Sequence, residues 1–130
     1  MMVESLNTKV DLTAKGISYL GIGAKYGNIM IGDRAFEFFN EKNIQDYVQI
    51  PWKDMQNVYA QVKHGQKLGR RFKIQTTVGE FDFSSKEVGP ILKLIRHQLG
   101  NEHVIRQSGF WKQMGRTISG MFQHKNKTKP

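Results

Sequence analysis

The chain is 130 residues long and carries 20 Lys and Arg against 11 Asp and Glu, a net charge of +9, with 38% hydrophobic and 24% charged residues. That length fits one ordinary domain, and that balance excludes a wholly disordered chain. The longest stretch without a formal charge, Gly16 to Ala24, has nine residues, where a membrane-spanning helix needs ~20 apolar ones; the absence of cysteine excludes disulfides, thiolate chemistry and cysteine-ligated metal centres.

Met1 to Asp11 has no apolar core of the signal-peptide kind, so the expected address is cytoplasmic. Val10 to Gly23 reads as a strand or two of uncertain register. Ile29 and Ile31 alternate with Asn28, Met30 and Gly32, the period of a strand with one buried face. Gly32-Asp33 signals a turn, after which Phe36 and Phe38 resume the alternation. Asn40 to Asn43 is a second turn. Tyr47 to Ile50 is a short strand ended by Pro51, which has no N–H for a ladder. Val58, Ala60 and Val62 form the next buried face, His64 to Gly69 reads as a loop, and Phe72, Ile74 and Thr76 alternate again, followed by Phe81 and Phe83. Six or seven short strands in succession predict an antiparallel sandwich or barrel.

The period then changes. Val88, Ile91, Leu92, Ile95 and Leu99 recur on one helical face. Ser84 and Glu87 have capping-box spacing, but Pro90 is disfavoured inside a helix, so the regular helix is expected to start between Lys86 and Gly89 and to stop at Gly100-Asn101. It would cover an open end of the sandwich.

Charge divides the chain. Residues 1–100 hold 14 Lys and Arg against 10 Asp and Glu, whereas residues 101–130 hold six against one. We therefore expect a domain over 1–100 and a basic amphipathic tail over 101–130. In the tail Phe110, Trp111, Met114, Ile118, Met121 and Phe122 fall on one helical stripe, with Lys112, Arg116, Lys125 and Lys127 beside or after it. Large apolar groups with cations suit a membrane interface or a partner's groove; the same stripe also suits a last helix packed on its own domain. A second basic cluster, Lys63, His64, Lys67, Arg70 and Arg71, spans one hairpin loop and could hold phosphates of a lipid head group or a nucleic acid. A plain solvated loop is the alternative.

Catalytic and cofactor motifs are not met. Gly21 to Gly27 imitates a dinucleotide fingerprint, but Tyr26 stands in place of the third glycine, so it reads as a turn between strands. His64, His97, His103 and His124 have no metal-ligand spacing. No Ser/His/Asp set suggests hydrolysis. The expectation is a non-enzymatic protein with no cofactor and no metal.

Four segments resemble a known family: Gly27 to Phe38 with its Gly-Asp-x-x-Phe-Glu-Phe run, Asp46 to Trp52 as Asp-Tyr-x-Gln-Ile-Pro-Trp, Arg71-Phe72, and Phe81 to Lys86. They are similar to a bacterial family of unknown function encoded in operons for mannose-family sugar phosphotransferase transporters, and the resemblance covers roughly Val3 to Arg116. It implies a pleckstrin-homology-like, GRAM-type fold of about seven antiparallel strands capped by a helix, a fold the strand pattern allows among other capped sandwiches. It also implies an accessory or regulatory role beside such a transporter, docked on its cytosolic surface or on anionic lipid as a peripheral protein. The other reading is a DNA- or RNA-binding regulator of the same operon.

Overall fold

A computed structural model of the chain describes residues 4–108. Its elements are β1 (Val10–Ser18), β2 (Lys25–Gly32), β3 (Ala35–Asn40), β4 (Tyr47–Pro51), β5 (Met55–Val62), β6 (Leu68–Thr76), β7 (Gly79–Ser84), α1 (Val88–Leu99) and β8 (Val104–Gln107). The architecture is mainly β with one helix. The strands make an eight-stranded sheet ordered β4-β3-β2-β1-β7-β6-β5-β8. Its neighbours are antiparallel except β5 and β8, which run parallel. The expectation of about seven antiparallel strands is corrected by this one addition: Val104–Gln107, drawn from the stretch that composition places in the tail, pairs with β5.

The sheet curls back on itself. β3 and β6 stand four steps apart in the strand order, ~19 Å on a flat sheet, yet the rings of Phe36 and Phe72 have centroids 6.0 Å apart, and those of Phe36 and Phe83 4.9 Å. The alternating residues of the sequence supply the enclosed face: Ile29, Ile31, Phe36, Phe38, Val58, Phe72, Ile74, Phe81 and Phe83 are buried together. α1 adds Val88, Ile91, Leu92 and Ile95 to that cluster. Pro90 is the third residue of α1, within the first turn, where its missing N–H has no carbonyl to serve. The capping box is not formed. Ser84 remains in β7, and Ser85 makes the turn: its Oγ accepts from the Glu87 N–H at 3.0 Å and donates to the Lys15 carbonyl at 2.7 Å.

Residues 5–9 form a strap that no sequence period announced. Glu37, between Phe36 and Phe38, points away from the enclosed face and is still fully buried. Its carboxylate accepts from Ser5 Oγ at 2.5 Å, the Leu6 N–H at 2.7 Å, Asn7 Nδ2 at 3.0 Å and Gln49 Nε2 at 2.9 Å. Asp33 clasps the same strap through the N–H groups of Thr8 and Lys9 and the Thr8 hydroxyl.

Candidate binding surface

The tail residues Phe110, Trp111, Lys112, Met114, Arg116, Ile118, Phe122, Lys125 and Lys127 lie outside the described residues. The hairpin bases lie inside them, and strand geometry divides them. Lys63, His64 and Lys67 are exposed around the turn joining β5 to β6. Arg70 and Arg71 are neighbours in β6, so their side chains leave opposite faces. Arg70 is exposed at the end of the sheet where β7 finishes, and its carbonyl accepts the Ser85 N–H at 3.1 Å. Arg71 lies on the outer face with its guanidinium carbon 4.1 Å from the centroid of the Tyr19 ring and Nη2 3.9 Å from Asp82 Oδ2. That stacking is a cation–π contact, which gives Arg71 a partner within the fold. The five bases are therefore one cluster in sequence and two in space.

Placement by sheet position shows a larger feature. Residues 4–62 hold six Lys and Arg against seven Asp and Glu; residues 63–108 hold nine against four. Val62 pairs with Leu68, Gln61 with Gln107 and Arg71 with Ser84. The β5–β6 hairpin, the end of β8 and the start of α1 thus share one end of the sheet, which gathers Lys63, Lys67, Arg70, Lys86 and Arg106. Arg106 reaches the Gln66 carbonyl at 3.5 Å, and β8 itself is held by its ladder with β5. Ser108, where the described chain ends, follows directly, so the tail segment begins beside these bases.

The other end of the sheet carries apolar tips. Ile22, at the tip of the β1–β2 loop, is 96% exposed, and Ile44, in the β3–β4 loop, is 56% exposed. Gly21 and Gly23 flank Ile22 with φ of +83° and +78°, a backbone region glycine enters without strain. An ion pair of 3.2 Å between Lys25 and Asp46 ties the two loops. The Gly21–Gly27 run thus closes an antiparallel hairpin, and Gly27 sits inside the sheet where a Cβ would lie 2.1 Å from the Phe39 carbonyl oxygen. Among the described residues no His/Asp/Glu group is arranged to hold a metal ion. His64 and His97 are exposed, and His103 shares a hydrogen bond of 3.1 Å with Asn57; His124 lies outside the described residues.

The motifs that carry the family resemblance serve the fold. Asp33 and Glu37 hold the strap, and Phe36 and Phe38 fill the core. Asp46 pairs with Lys25 and accepts from Asn40, Gln49 bonds Glu37, and the Trp52 indole N–H donates to the Gly32 carbonyl at 3.0 Å. These residues specify an architecture, and the surface chemistry has to be read elsewhere. Among the described residues no helix is long and apolar enough to cross a membrane. A family model described as a domain of unknown function (DUF956) matches residues 2–118. No curated protein matches the chain.

Proposed function

This chain belongs to the DUF956 family, and from its distribution of charge we propose that it is a non-enzymatic accessory module that docks on an anionic surface at the cytosolic face of a membrane. That surface is a mannose-family phosphotransferase transporter or the lipid around it, the setting the sequence resemblance implies. In this reading the body is a pleckstrin-homology-like, GRAM-type sandwich, a placement supported by the curled sheet and by α1 packed on β5 and β6.

The observation that carries the proposal is the segregation of cations. In the first half Asp33 and Glu37 hold the strap and Asp46 ties two loops, while the second half puts Lys63, Lys67, Arg70, Lys86 and Arg106 at one end of the sheet, where the tail begins. Near an anionic bilayer each such cation contributes ~1 kcal/mol. Phe110 and Trp111 together offer ~300–500 Å² of side chain, worth several kcal/mol at ~25 cal/mol per Å². Charge directs the approach, and the apolar stripe holds it.

The test is co-sedimentation of the full chain with native membrane vesicles across a salt series. The parent sediments; Phe110→Ser with Trp111→Ser stays in solution; Lys112→Gln with Arg116→Gln binds more weakly than the parent at low salt only, and the two converge as salt rises. Sedimentation of the Ser variant like the parent overturns tail docking. Duplex DNA bound with a steep salt dependence, in place of membranes, would favour the operon-regulator reading.

A further inference from the structure

A cleft of about 650 Å³ opens beside β1, lined by residues 12–17, Tyr26, Arg70 and residues 84–87. It follows from the register. β1 meets β7 only through Ile17↔Ser84 and Ser18↔Phe83, and there β7 ends. Ser85 turns the chain away, its N–H on the Arg70 carbonyl at 3.1 Å and its Oγ on the Lys15 carbonyl at 2.7 Å. Past this clasp, among the described residues, the β7 side of β1 has no strand beside it, and the space between that edge and the entry to α1 is the cleft.

We propose that this cleft binds a phosphate-bearing ligand, held by Arg70, Lys86 and Lys15. The three residues line it from separate segments: β6, the link into α1, and β1. Among the described residues, neither Arg70 nor Lys86 has an ion-pair partner. Lys15 stands 3.7 Å from Glu41, with its side chain 79% exposed; such surface pairs contribute little and exchange readily. The carboxylate among the lining residues is Glu87, which is exposed. The serine hydroxyls are engaged, Ser85 as described and Ser84 with the Tyr19 hydroxyl at 3.0 Å, so the anion is held by the cations. A guanidinium presents a planar fork that matches phosphate oxygens. Leu12, Ala14, Ile17 and the Tyr26 ring offer apolar lining for the rest of the ligand, and the volume lies within the range of small-ligand sites. A soluble organic phosphate and a phospholipid headgroup share this chemistry. The site shares Arg70 and Lys86 with the proposed docking face but uses no residue of the tail stripe, and it stands whether or not the tail docks.

The experiment is an amide NMR titration of the full chain with inorganic pyrophosphate, repeated in competition with phosphatidylglycerol or phosphatidylcholine vesicles. Saturable shifts are expected in residues 12–17, at Arg70 and in residues 85–87. Arg70→Gln with Lys86→Gln weakens binding about tenfold or more, Arg70→Lys with Lys86→Arg retains most of it, Lys42→Gln with Lys53→Gln, exposed and away from the cleft, leaves it unchanged, and Glu87→Gln tightens it. Competition by phosphatidylglycerol but not phosphatidylcholine identifies a headgroup as the source, and no competition identifies a soluble phosphate. Equal affinity in the Arg70/Lys86 Gln variant, or unsaturable shifts spread over Lys63, Lys67 and Lys93, overturns the site. Membrane recruitment of the Phe110/Trp111 variant is read separately, so either idea can fail alone.

Discussion

At the scale of single residues, the most consequential side chain is a carboxylate in an unexpected place. Glu37 sits between two core phenylalanines, and all four groups around its carboxylate can donate to it. Glu37→Gln keeps the size but turns an NH2 toward donors. Leaving a buried polar group without its partner costs about 1–3 kcal/mol, so we expect that loss in urea unfolding, with a larger loss for Glu37→Ala. Asp33 gives the same strap a pH dependence. The hydrogen bond from the Thr8 hydroxyl, helped by the Lys9 and Thr8 N–H groups, lowers its pKa to about 2. A depressed folded-state pKa means the clasp is complete above the ordinary carboxylate range and is lost as pH falls through about 2. The Thr8 and Lys9 amide resonances should titrate with that midpoint in NMR and should not do so in Asp33→Asn.

At the scale of elements, what sequence reveals depends on whether an element's periodicity is its own. β2, β5 and β6 bury alternate residues, and in β3 and β7 the apolar residues alternate although the outward Glu37 and Asp82 are buried as well, so Ile29/Ile31, Phe36/Phe38 and Phe81/Phe83 announce them. α1 is equally plain, because Ile91, Leu92 and Ile95 fall on one stripe and are all buried. Ile95→Ala should cost about 2–5 kcal/mol by leaving a cavity under the helix, measured as a lowered denaturation midpoint with unchanged slope. β8 was silent for a physical reason: only Val104 packs on the core, residues 105–107 are exposed, and its parallel partner lies over forty residues upstream. The strap is silent too, since Ser5, Asn7 and Thr8 act by hydrogen bonding, which leaves no hydrophobic period. The division of Arg70 from Arg71 was legible, because adjacent residues in a strand face opposite ways. The cleft was not, because Lys15, Arg70 and Lys86 meet only when the register between β1 and β7 is known.

At the scale of the molecule, the question is how far the folded body extends toward the basic tail. Among the described residues the buried cluster ends at Ile95, and Leu99 and Val104 pack against its margin. β8 then closes on β5 through Gln61↔Gln107, and Arg106 reaches Gln66. Among the described residues the core is thus bounded upstream of the stripe that starts at Phe110. A chain ending at Ser108 should therefore fold, unfold cooperatively, and lie within about 1–2 kcal/mol of the full chain, a small part of the 5–15 kcal/mol typical of a domain. A chain ending at Leu99 removes Val104 and the β5–β8 ladder, uncovers the edge of β5 and should be measurably less stable than the Ser108 form. Urea denaturation of the three lengths checks both statements. Cooperative unfolding at Ser108 leaves Phe110, Trp111, Met114, Ile118 and Phe122 free for a partner. If the Ser108 form is molten, the stripe belongs to the core, and docking has to rest on the hairpin and cleft cations instead.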